Sequence, residues 1–200
     1  VAARRDDLGD DAAAGGGTLA CLSGDLDAGY ADFVRVHADA VYCAALRLSG
    51  SRADADDIAQ ETFVRAYRAL QGYGPDRVRA LEARPWLLTI TLNLWRNRLR
   101  SAARRPRTTA PGRPLDVADP EPGPEERAAT AEASRTLVRL LGALPEHHRV
   151  PVVLHHVVGL TYPEVASVLG CPVGTAKANV ARGLERLREL GARRPDKEEP

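Results

Sequence analysis

Lysine is almost missing from these 200 residues: Lys177 and Lys197 are the only ones, and arginine supplies the rest of the 28 basic side chains. That bias reads as a GC-rich coding sequence rather than as chemistry. Aromatics make up only 4% of the chain, and its three cysteines, Cys21, Cys43 and Cys171, are odd in number and match no thiol or metal spacing. A disulfide framework is therefore not expected. No apolar run approaches the roughly 20 residues of a membrane span. The start, Val1 to Gly17, lacks the basic-then-apolar order of a secretory signal, so the expected compartment is the cytoplasm. With a formal net charge of only +1, any affinity for a polyanion must come from local placement of charge.

What is present is helical periodicity. Residues 1–26 carry too little apolar surface to offset chain entropy and are expected to be a disordered tail. From Asp27 to Leu48, Phe33, Val34, Val41, Leu46 and Leu48 recur at helical spacing, and Gly50 supplies a stop. Ser51 and Asp54 form a capping pair for a second helix to about Leu70, broken by Gly72, Gly74 and Pro75. Pro85 suits the first position of a third helix, running to about Arg104. The segment 105–124 holds Pro106, Pro111, Pro114, Pro120, Pro122 and Pro124, a density that prevents helix and favours an extended linker. Periodicity resumes at Glu125 and runs to Leu144; further helices are expected over His147–Val158, Tyr162–Leu169 and Val173–Leu190. The expectation is an all-α chain of two small domains, 27–104 and 125–191, joined by a flexible Pro-rich linker and followed by a charged tail, 192–200.

The end of the second domain reads as a helix-turn-helix. Thr161 and Glu164 make a capping box, Val165, Val168 and Leu169 follow, and Gly170 ends the helix. Wound at about 100° per residue, the next helix places Val173, Ala176, Val180, Leu184 and Leu187 on one arc. Thr175, Lys177, Ala178, Ala181 and Arg182 lie opposite. Small residues within a basic face let a helix sink into a major groove, where Lys and Arg reach phosphates or guanine edges and Ala can touch a thymine methyl. A merely solvated amphipathic helix is the alternative.

In the first domain the second helix opens with Asp54, Asp56, Asp57, Gln60 and Glu61, which also suits any helix N-terminus. The third is more telling: between Arg84 and Arg107 there are seven arginines and no acid. Winding it aligns Thr89, Asn93, Arg96, Asn97, Arg100 and Arg104 in a polar stripe, with Leu87, Leu88, Ile90, Leu92, Leu94, Trp95 and Leu99 on the wide core arc. Trp86 heads the stripe. It can stack on an unpaired base or cap the core from the helix end, and the sequence leaves both open.

Two other functions are weaker fits. A regulator that uses the C-terminal helix-turn-helix alone leaves the upstream acidic helix and arginine stripe without a purpose. A metalloenzyme is suggested by the pairs His147–His148 and His155–His156, but adjacent helical residues point about 100° apart and no hydrolytic zinc spacing accompanies them. No catalytic residue, cofactor or metal is expected.

Taken together, these segments resemble the extracytoplasmic-function (ECF) sigma factors of the sigma-70 superfamily, from Tyr30 to about Leu190. Residues 54–68, DADDIAQETFVRAYR, are similar to the family's polymerase-clamp helix. The resemblance implies that Asp57, Gln60, Glu61 and Phe63 contact the β′ coiled coil of core RNA polymerase, the second domain facing the β flap. Residues 84–100, RPWLLTITLNLWRNRLR, are similar to the minus-ten-reading helix. There Trp86, Asn93, Arg96, Asn97, Arg100 and Arg104 would meet promoter DNA, and the loop from Gln71 to Ala83 would hold a flipped-out base. LPEHHR and GLTYPEVASVLGCPVGTAKANVARGLERLRE match the minus-thirty-five domain, with Thr175, Lys177, Ala178, Asn179, Ala181 and Arg182 as its DNA-reading residues. Departures occur at Ala178 (usually Ser), Asn179 (usually Arg), Asn97 (usually Asp) and Leu92 (often basic). They bear on promoter sequence. The family further implies a non-enzymatic role in promoter-specific initiation and sequestration by an anti-sigma factor.

Overall fold

A computed structural model describes residues 18–104 and 124–192, with side chains for 18–102 and 132–192. The tail up to residue 17, the linker 105–123, residues 193–200 and the side chain of Arg104 lie outside the described residues. Every described element is helical: α1 (18–24), α2 (Leu26–Ser49), α3 (Arg52–Gln71), α4 (Pro75–Arg79), α5 (Ala83–Arg104), α6 (Pro124–Gly142), α7 (Glu146–Val152), α8 (Tyr162–Leu169) and α9 (Val173–Ala192). None of the described helices is long and apolar enough to cross a membrane.

The local signals act as their chemistry demands. Asp25 accepts from the Ala28 amide and Ser51 from the Asp54 amide, each satisfying a donor that a helix start leaves unpaired. Thr161 and Glu164 close the reciprocal box at the head of α8. Gly170, at φ 62°, takes the left-handed conformation that ends α8 and starts the turn.

Several elements differ from the sequence expectation. The tail is not wholly unstructured, because residues 18–24 are helical and bury Leu19 and Leu22 against Phe33, Leu70 and Leu87. Pro75, read as a breaker, begins the one-turn α4, which seats Val78 in the same cluster. The helix expected over His147–Val158 changes form: Pro151 has no N–H to give, and Val153–Val157 form a π-helical turn closed by the Val158 amide on the Val153 carbonyl (3.0 Å). Leu99 and Val173, placed on core arcs, are 45% and 46% exposed. Arg98 already pairs with Asp54 near the start of α3, so Leu99 overhangs that helix's end. Val173 stands on the first turn of α9, ahead of the buried Ala176 and Val180.

A larger apolar cluster crosses between the two halves. Ala44, Leu48, Ile58, Leu92 and Trp95 from α2, α3 and α5 are continuous with Leu141, Leu144, Val150, Val153, Val165 and Ala176. The two halves thus pack directly on one another. Arg149 clasps the seam, donating to the carbonyls of Gly142 and Leu144 in its own half and of Leu48 in the other, with its guanidinium 5.9 Å from the Trp95 ring. Arg47 reaches the Ser134 hydroxyl at 2.9 Å. Burial pulls both guanidinium pKa values below their ordinary range.

Candidate nucleic-acid interface

Three surfaces gather the residues singled out from sequence. On the first, between α3 and α5, Asp57, Gln60 and Glu61 line an open groove of about 500 Å³ together with Val64, Asn97 and Arg98. Arg98 reaches Asp54 and Asp57, both at 3.2 Å, and Arg65 reaches Glu61 at 2.7 Å, which holds the acidic edge in register. Phe63 is not brought to this groove. It points away, packing against the second apolar cluster, while its carbonyl accepts from the Tyr30 hydroxyl. Val64, 36% exposed, is the apolar residue the groove does present. Sequence reasoning passed it over, although it falls on the same face of α3 as Asp57 and Glu61, seven and three residues away.

The second surface is the outward stripe of α5. Asn93, Asn97 and Arg100 are exposed and Arg96 and Thr89 half-buried, whereas Leu87, Leu88, Leu92 and Trp95 are sealed inside. The Thr91 hydroxyl, buried between α5 and α3, donates to the Leu87 carbonyl and lies 3.3 Å from that of Thr62, so the threonine oxygens on the hidden face are satisfied. Trp86 combines both open readings. It packs against the second cluster, with its ring 6.1 Å from Tyr73, and also lines a cavity of about 480 Å³ with Arg77, Leu81, Pro85 and Thr89. The Arg77 guanidinium lies 3.7 Å from the Tyr73 ring centroid. An aromatic wall beside a cation is suited to a stacked base and its phosphate.

The third surface is α9. Thr175, Lys177, Ala181 and Arg182 are exposed, Ala178 is half-buried, and Asn179 sits on the half-buried shoulder. The opposite face buries Ala176, Val180 and Gly183. Gly183 is there because α7 comes too close for a side chain: a Cβ would lie 2.5 Å from Val152 Cγ2 and 3.1 Å from the His148 carbonyl oxygen. Burial, then the charges of His147 and Arg182, push the His148 imidazole pKa down. Among the described residues, no cluster of three or more ligating side chains forms around the histidine pairs.

A helical protein with a helix-turn-helix at one end and an arginine-studded helix beside an aromatic cavity at the other is built to meet nucleic acid twice. Comparisons with known proteins agree. The Sigma-70 region 2 model matches residues 33–105 and the Sigma-70 region 4 model residues 134–187. ECF RNA polymerase sigma factor SigE of Mycolicibacterium smegmatis is 37% identical over 165 residues, which cover 81% of this chain and 61% of that protein. SigW of Bacillus subtilis is 31% identical over 173 residues, covering 83% of this chain and 90% of that protein. The structure of CnrH in complex with the cytosolic domain of CnrY superposes with a TM-score of 0.65 at 28% identity, covering 91% of this chain and 99% of that one. Sigma factor RpoE in complex with the anti-sigma factor NepR from Bartonella quintana shares the fold, with a TM-score of 0.65 at 21% identity over 81% of this chain and 96% of that one. The chain belongs to the ECF sigma factors of the sigma-70 family.

Proposed function

We propose that this chain binds core RNA polymerase and directs it to promoters, the first domain (27–104) opening and reading the minus-ten element and the second (125–191) reading the minus-thirty-five element. The observation that carries this is the pairing, in one chain, of the region 2 and region 4 matches with an exposed basic or polar face on each domain's DNA-facing helix. Polymerase docks through the groove of Asp57, Gln60 and Glu61, with Val64 as its apolar contact, while Phe63 supports the helix from behind. Lys177 and Arg182 contact the duplex; Thr175, Ala178, Asn179 and Ala181 shape the fit. On α5, Asn93, Asn97, Arg100 and Arg104 follow the separated strand. A base stacks in the Trp86 cavity.

Bond-making then belongs to the polymerase, and this chain contributes recognition alone, in the cytoplasm, without a cofactor. A flexible chain of about 20 residues, the length of the segment 105–124, has a root-mean-square span of some 22–27 Å, which gives the domains room to separate along the promoter. An anti-sigma factor is the partner expected to hold the chain inactive, in line with the complex of RpoE with the anti-sigma factor NepR. Reconstitution with purified core polymerase tests the proposal. Run-off transcription from discrete start sites that requires this chain supports it, whereas DNA binding unaltered by core polymerase, with no dependent transcript, would leave an independent helix-turn-helix regulator.

A further inference from the structure

Helix α1 (18–24) precedes residues 33–105, the span of the region 2 match, and it lies back on the start of α2. Gly29 shows how closely. A Cβ there would sit 3.1 Å from the Leu22 amide nitrogen and 3.3 Å from the Cys21 carbonyl carbon, so the backbone of α1 rests on the backbone of α2. Glycine is a poor helix former, and the close approach accounts for its place inside α2. What α1 contributes is apolar: Leu19 and Leu22, 8% and 4% exposed, enter the second cluster together with Leu70, Val78 and Leu87. Leu81 and Trp86 pack on that same cluster and also line the Trp86 cavity. The loop 72–82 supplies Arg77, Ala80, Leu81 and Glu82 to the cavity wall, yet Val78 is its one buried residue. A loop held by a single side chain depends on the seat that side chain occupies.

We propose that α1 braces the base cavity: Leu19 and Leu22 are positioning residues that complete the seat of Val78 and of the Trp86 ring, and so fix the wall on which an unpaired base stacks. This rests on reading the Trp86 cavity as the base site. The docking groove lies on the other side of α3, since Phe63 faces the cluster while Val64 faces the groove. The brace therefore acts on strand capture and leaves docking alone. Duplex reading by α9 is also spared, because neither Leu19 nor Leu22 belongs to the cluster that contains Ala176.

The test uses the full-length chain with purified core polymerase and promoter DNA. Gly29→Val forces α1 off α2 without altering a side chain of the cluster and without weakening α2, valine being the better helix former of the two. Leu22→Ala instead removes the anchor and keeps the backbone contact, and Leu22→Met conserves its volume. Gly29→Val and Leu22→Ala should bind core polymerase and form the closed complex as the parent does. Both should lower the opening equilibrium in permanganate footprinting severalfold, and by no more than the roughly five- to hundredfold expected of Trp86→Ala. Leu22→Met should open like the parent. In a Trp86→Ala background neither variant should add a further loss, because the seat then has no ring to hold. Equal losses in core binding and opening, or losses that multiply with that of Trp86→Ala, would make α1 a stabilising element only and overturn the brace. Opening equal to the parent's in both variants would overturn it as well. If Trp86→Ala itself opens like the parent, the reading of the cavity fails and the proposal goes with it.

Discussion

Gly183 gives the account a structural test with a definite sign. Ala is the better helix former by up to about 1 kcal/mol, so Gly183→Ala in mid-helix would stabilise α9 if nothing were near. Here the added Cβ meets Val152 Cγ2 at 2.5 Å and the His148 carbonyl oxygen at 3.1 Å. Val152 is itself 2% exposed, and its branched side chain has only χ1 with which to move aside. Overpacking costs about 1–3 kcal/mol, and a 2.5 Å contact on a buried β-branched side chain falls in the upper part of that range, about 2–3 kcal/mol, which leaves a net loss of about 1–2 kcal/mol once the propensity gain of about 1 kcal/mol is deducted. For a chain of this size that is a fall of roughly 2–8 °C in Tm. Gly174, on the first turn of the same helix, has nothing within 4 Å of its would-be Cβ, so Gly174→Ala should raise Tm or leave it unchanged. Thermal melts and urea titrations of the two variants beside the parent decide the matter. A Gly183→Ala protein that melts at or above the parent would refute the close approach of α7 and α9, and with it the support assigned to the reading face.

Trp86→Ala should spare closed-complex formation yet lower the opening equilibrium about five- to hundredfold, the worth of one base stack, with a pre-melted bubble template restoring most of it. Equal loss at every step in permanganate footprinting would make Trp86 a core residue only. Lys177→Ala and Arg182→Ala should each weaken promoter binding by the holoenzyme by about 1–3 kcal/mol where the lost contact is to a base, whereas a lost phosphate contact should weaken all sequences alike and lower the salt slope by about one. Unchanged footprints would reassign that face. Burial raises the Tyr30 pKa to about 12. Its contribution is therefore complete below the ordinary phenol value of about 10 and is lost as the pH climbs from there to the folded value. Denaturation series at pH 9 to 12 should show a shallower alkaline decline for Tyr30→Phe than for the parent, and identical slopes would contradict the burial argument.

Much of this molecule could be read from residue order because its helices are locally signalled. Ser51, Thr161, Glu164 and Gly170 act within a few residues of themselves, and the 3.6-residue period of α5 sorted Leu92 and Trp95 from Asn93 and Arg100 before any partner was known. What escaped depends on distant neighbours. Leu19 and Leu22 are two apolar residues in a small, charged segment, and only the pocket between Phe33 and Leu87 makes them helical and buried. Phe63 and Val64 are adjacent apolar residues; helical spacing sets Val64 beside Asp57 and Glu61, but the seat that takes Phe63 behind the helix is supplied by Tyr30 and the second cluster. Leu141 and Leu144 look like one domain's own core, yet they share theirs with Leu48 and Trp95 across the seam. The Arg96–Glu146 pair, fifty positions apart, had no sequence signal at all.

The central claim is that this chain docks on polymerase through the α3–α5 groove, and binding of labelled chain to purified core polymerase measures it directly. Gln60 is exposed and Glu61 half-exposed, and neither is among the buried core residues, so Gln60→Ala with Glu61→Ala should leave the circular dichroism spectrum unchanged. The same double variant should weaken core binding, by about 1 kcal/mol or more if both contacts are lost and at least one is desolvated. Binding equal to that of the parent, in a protein shown to be folded, would contradict the docking surface and the account built on it.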